Sequence, residues 1–208
     1  MIGACQSRIT TGASGPAREP DPRLNASDDW FSLAELAERV AQLVWVEEHV
    51  AALLDEWASI EPHAGAAIVY ARAAAHHRWH GKILRGCLPT SEQLSDASTP
   101  HAPTPGWLRA IDALRALDGD DETVVRLMSI VRKVDPWLAR ESAVLLDLAR
   151  PVADAALIRW LGFIQIDHRD DGGHLAELLD ALQTNTVSLR DRSLIAGLDL
   201  SGPLPTPG

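Results

Sequence analysis

The sequence is poor in the residues that build sheets and covalent frameworks. It has one tyrosine and two phenylalanines. Its apolar residues are alanine and leucine more than isoleucine, which favours helix over strand. Only two cysteines occur, Cys5 and Cys87, and one falls in a tail-like stretch, so no disulfide framework is legible. Positive charge is in deficit, with 19 lysines and arginines against 29 acids and a formal net charge of -10. That balance argues against a phosphate-tracking surface, so neither nucleic acid nor an anionic membrane is the expected partner. No apolar run is long enough to span a bilayer. Met1 to Pro22 has no basic region followed by an apolar stretch, so no signal peptide is recognised and the cytoplasm is the expected location. Glycine-rich phosphate loops, nucleophile elbows and Cys-x-x-Cys pairs are also missing, which leaves hydrolase and nucleotide-binding readings without support.

What the sequence does have is helical periodicity between two polar ends. Residues 1–28, rich in Gly, Ser, Pro, Ala and Arg, read as a flexible tail. Residues 184–208 read as a second tail, with a short docked piece around Leu194 to Leu198. The span 29–183 between them reads as one helical domain with four long stretches. The first runs from about Asp29 to Ser59, with Ser27, Asp28 and Asp29 as candidate N-caps. The second runs from about Pro62 to Cys87. A Pro-rich connection and a short helix, Trp107 to Leu117, follow. The third stretch runs from the acids at Asp120, Asp121 and Glu122 to about Arg150, and Pro136 must kink or split it. The fourth starts at Pro151 and runs to about Leu182. Two hairpins of long helices joined by one long crossover, between the second and third helices, is the expected all-α four-helix bundle.

Two acids interrupt apolar faces in this pattern. Glu47 lies among Val40, Leu43, Val44, Val50, Ala51 and Leu54, and Glu141 among Val134, Trp137, Leu138, Val144, Leu145 and Leu148. An unpartnered buried carboxylate costs several kcal/mol, so both need an explanation. On the second helix His77 and His80 share a face, and on the fourth Asp171 and His174 do, with Asp167 one turn earlier. Glu47 precedes His77 by 30 residues, and Glu141 precedes Asp171 by the same interval. A helical hairpin of that length returns the chain to the level it left, so each acid should meet its pair at one depth.

This constellation resembles the ferritin-like dimetal carboxylate superfamily, whose pattern is a glutamate on each of two helices and a Glu-x-x-His on each of the other two. The resemblance covers roughly residues 30 to 183 and rests on pattern. It implies that Glu47 and Glu141 match the single glutamates, and His80 and His174 the histidines. Asp171 and His77 stand where bridging glutamates would be. The imidazole at 77 removes a charge and a bridge, so a single ion or a different metal stays open. The resemblance implies two Fe ions, with Mn as an alternative, and Zn is also compatible with the donor types.

Blander readings compete with this one. The carboxylates could pair with arginine or protonated histidine in a metal-free core. Gly172-Gly173 reads as a turn as well as it reads as helix, unless a local bulge accompanies a site there. Tyr70, the only tyrosine, and Asp167 are the candidate catalytic residues, although a core tyrosine is the commoner case. The function implied by the resemblance is a metal-dependent oxidase or oxygenase acting on a small or carrier-bound substrate. The alternatives are a metal-free binding protein or acid–base enzyme of the same fold, and a storage cage. A small-molecule substrate is the expected partner, and a homodimer is left open.

Overall fold

The computed structural model describes residues 30–182 and 189–200, with the side chains of 189–192 excepted. The expected N-terminal tail, with the candidate caps at Ser27, Asp28 and Asp29, lies outside the described residues, whereas much of the expected second tail, 189–200, is described and carries a helix and buried apolar residues. Every regular element among the described residues is helical, and none is a strand.

Helix α1, Leu33–Ile60, starts at Ser32. The Ser32 side chain accepts from the Glu35 N–H and the Glu35 carboxylate accepts from the Ser32 N–H, a reciprocal cap that satisfies two otherwise orphaned donors. This places the start of the helix three residues beyond the acids first considered for it. Helix α2, Ala64–Cys87, begins with His63 Nδ1 accepting from the Ala66 N–H, and Pro62 precedes it without entering it. A connection with one 3₁₀ turn, Glu92–Leu94, leads to α3, Pro105–Arg115.

The expected break at Pro136 takes a specific form. Helix α4, Thr123–Ser129, passes into a π turn, Ile130–Val134, and then into α5, Asp135–Leu148. The Asp135 N–H donates to the Ile130 carbonyl, five residues back. Proline at 136 has no N–H to continue the ladder, and the wider turn absorbs the mismatch with one extra residue. The fourth long helix, α6, spans Ala155–Leu182. It begins later than expected, because Pro151 belongs to a preceding turn in which the Asp154 carboxylate accepts from the Arg150 N–H. Gly172 and Gly173 do not interrupt it. A last helix, α7, covers Leu189–Gly197.

Helices α1 and α2 pack along their lengths, α6 lies against α2 and α5, and α3 and α5 lie against α1. One continuous apolar core results, from Phe31 to Leu200, with Trp57, Trp107, Leu53 and Leu54 fully buried. Trp107 meets Trp137 edge to face at 4.8 Å, which joins α3 to α5. Gly106 is required by the segment after α7, because a Cβ there would sit 2.5 Å from the Asp199 carbonyl oxygen. Ile195, Leu198 and Leu200 are buried, so the short docked piece expected near Leu194–Leu198 is present. No helix among the described residues is long and apolar enough to cross a membrane.

Candidate metal centre

Three of the sequence-derived residues meet at one point. Glu47 of α1 and His80 of α2 are wholly buried, and His77 is 3 % exposed. Glu47 Oε2 lies 2.6 Å from His77 Nδ1 and 3.5 Å from His80 Nδ1. A fourth residue closes the group. His168 of α6, 8 % exposed, places Nε2 2.9 Å from Glu47 Oε1. One donor atom from each of Glu47, His77, His80 and His168 lies within 4.8 Å of the others.

The Glu47 carboxylate is thus held between imidazoles. Burial by itself would raise its pKa, but His168 and His77, through charge and hydrogen bonds, hold it well below the carboxylate range. Burial disfavours a charged His168, yet Glu47, with Asp135 and Asp171 behind it, raises that imidazole above its ordinary value. His77 goes the other way. Its burial lowers it, Glu47 opposes, and His168 and His80 add to the lowering.

His80 carries the clearest sign of an incomplete site. Its Nε2 is 3.1 Å from Asp167 Oδ2, while its buried Nδ1 makes no hydrogen bond. A carboxylate on the far ring nitrogen is how proteins orient a metal-bound imidazole. Asp167 therefore touches the site through His80 and orients it. An ion with ligands at about 2.0–2.2 Å needs donors roughly 3.3–3.6 Å apart, so the 2.6 and 2.9 Å contacts at Glu47 would open and separations near the 4.8 Å limit would close. One carboxylate and three imidazoles fit a single divalent cation.

The other sequence-derived residues go elsewhere. Glu141 lies beside two arginines, at 3.8 Å from Arg39 and 3.1 Å from Arg140. Burial raises its pKa and Arg140 and Arg39 oppose. Arg39 sits eight residues before Glu47 on α1, about 12 Å along the axis, so Glu141 is at the wrong level. Asp171 takes Arg72 at 3.0 Å and His76 at 2.6 Å. His174 is exposed and bonds back to the Asp170 carbonyl. The donor set of a two-ion carboxylate centre is therefore not assembled. Tyr70 is core, its hydroxyl donating to the Thr123 carbonyl and its pKa raised by burial.

His168 escaped the sequence reading by one helical face. The buried stripe of α6 runs Leu157, Leu161, Ile164, His168, Asp171, Leu175, Leu179, with steps of three and four. The face read from the sequence included Asp171 but ran through Asp167 and His174. The second miss is Asp135, at the end of the π turn. Its Oδ2 is buried without a hydrogen-bond partner, and burial pushes the carboxyl up to about 7 against the pull of His168, with Asp171 and Glu47 adding to the rise.

Asp135 and His168 also line a surface cleft of about 410 Å³ with Val131, Pro136, Gln165 and Arg169. The Glu47–histidine cluster is thus bordered by this cleft on its His168 side. Comparison with protein-family models, curated proteins and solved structures finds no match to this chain.

Proposed function

We propose that this chain is a metal-dependent enzyme with a ferritin-like four-helix architecture, α1 and α2 joined by the long connection to α4–α5 and α6. Its centre would hold one ion, iron or manganese first, on Glu47, His77, His80 and His168, and would oxidise a small substrate. The observation that carries the reading is the His80 imidazole, fully buried, fixed by Asp167 on one nitrogen and bare on the other beside the Glu47 carboxylate. A bare buried ring nitrogen costs free energy that an ion would recover.

Iron or manganese bound there would supply redox and Lewis-acid chemistry. The chain's own contribution is separable. Asp167 fixes the ring orientation of His80, Glu47 supplies the one negative charge in the donor set, and apolar neighbours such as Val44, Val50 and Ile164 exclude water. The cleft beside His168 favours a catalytic centre over a purely structural one, because structural sites are closed.

The hydrogen bonds already present at both Glu47 oxygens favour a second reading, a metal-free site in which Glu47 and the histidines bind or exchange protons with a small ligand. Metal analysis of protein purified without chelator, followed by titration with Fe²⁺, Mn²⁺ and Zn²⁺, separates the two. The metal reading expects about one equivalent bound with sub-micromolar affinity. Trace content and no uptake would leave the metal-free reading standing.

A further inference from the structure

The cleft beside the cluster contains an unexplained group. Asp135 Oδ2 is shielded from solvent and has no hydrogen-bond partner in the protein. Three local features converge to put it there. The π turn Ile130–Val134 adds a residue just before it, Pro136 fixes the first turn of α5 just after it, and Gly172 makes room. A Cβ at 172 would come within 3.0 Å of Asp135 Oδ2. Glycine within a helix costs about 1 kcal/mol against alanine, so this space is maintained at a cost. Asp135 lines a cleft shared with His168, and an unpaired acceptor buried in such a wall is the arrangement of a ligand anchor.

We propose that this cleft is the substrate site of the metal centre and that Asp135 accepts a hydrogen bond from a donor group, an O–H or N–H, on a small polar substrate lying against the ion. The inference rests on the single-ion reading above. Asp135 is then a binding residue that sets the orientation of the substrate, and Arg169 and Gln165 line the same opening. The carboxylate selects for a donor, because a substrate without one would leave the acceptor buried and unsatisfied, a penalty that discriminates more sharply than apolar fit does.

Cobalt-loaded protein tests this without any turnover assay. Co²⁺ uptake is first followed by its visible d–d bands, with His80→Gln as the control that weakens uptake by on the order of 100-fold. Acetohydroxamate and N-methylacetohydroxamate are then titrated against the bands. Both chelate the ion, but only the first keeps an N–H. The expected result is about tenfold tighter binding of acetohydroxamate. Asp135→Ala should reduce that preference to about twofold or less, and Asp135→Asn, which keeps an acceptor oxygen, should restore most of it. Gly172→Ala should weaken acetohydroxamate while Co²⁺ uptake is unchanged. Equal binding of the two probes to the native protein, or an unchanged preference in Asp135→Ala, overturns the role of Asp135 and leaves the metal centre intact. Absence of Co²⁺ bands, or an unchanged Co²⁺ affinity in His80→Gln, overturns the metal reading and this inference with it.

Discussion

At the scale of single residues, the site is defined as much by which acids are excluded as by which are present. Glu141 satisfies its charge with Arg39 and Arg140, and His174 faces solvent. His80→Gln should therefore lower Zn²⁺ or Mn²⁺ affinity by on the order of 100-fold, while Glu141→Gln and His174→Gln leave it within about twofold. Isothermal titration of the three variants decides it, and a large loss in Glu141→Gln would reinstate a two-ion centre. Asp135 gives a second residue-level test, in the metal-free protein. Its folded pKa of about 7 lies above the ordinary aspartate value of 3.8. Between those values the folded state binds the proton more tightly than the unfolded state does, so this group's contribution to stability falls as pH rises. Asp135→Asn removes that decline. Melting curves in chelator should show the variant gaining on the native protein from pH 4 to pH 7.5, by on the order of 2–4 kcal/mol at the upper end. Parallel curves would show that Asp135 is not desolvated in the folded protein.

At the scale of elements, the helices were legible because their punctuation is local. Pro62, Pro89 and Pro105 bracket α2 and α3, and the alternation of three- and four-residue apolar steps marks the buried faces. The level of one helix against another was not legible. Equal intervals of 30 residues put Glu141 beside Asp171 on paper, but the turn at 151–154 delays the next helix. The acid of this segment beside His168 is then Asp135, six residues and about 9 Å before Glu141. In the first half, where α1 and α2 are regular and their connection is short, the same arithmetic correctly joined Glu47 to His77 and His80. The far end of that hairpin is held by Arg126 of α4. Its guanidinium donates to the Leu117 and Gly119 carbonyls and pairs with Glu61 at 2.9 Å, all in the interior. A lysine carries the charge but lacks the fork that reaches three acceptors. Arg126→Lys should cost about 2–4 kcal/mol, read as a lower urea midpoint at unchanged slope. A midpoint within error of the native one would mean the network is dispensable.

At the scale of the whole molecule, one ion touching α1, α2 and α6 should stabilise all of them together. Metal at 100 times its dissociation constant adds about 2.7 kcal/mol to folding stability, which for a chain of this size raises the melting temperature by roughly 5–10 °C. Calorimetry with Mn²⁺ against chelator measures this, and identical transitions would argue for a site that does not load. The Arg126–Glu61 pair has a wider consequence. Glu61 belongs to the first hairpin, and the guanidinium that pairs with it comes from beyond the connection. Asp171 of the second half takes Arg72 and His76 from the first, and Glu47 of the first takes His168 from the second beside its own His77. Each hairpin, taken alone, would lose a partner of a buried carboxylate, Arg126 for Glu61 in the first and Arg72 for Asp171 in the second. A chain cut in the connection near Pro100 should yield fragments that stay unstructured apart and regain a single cooperative transition only when mixed.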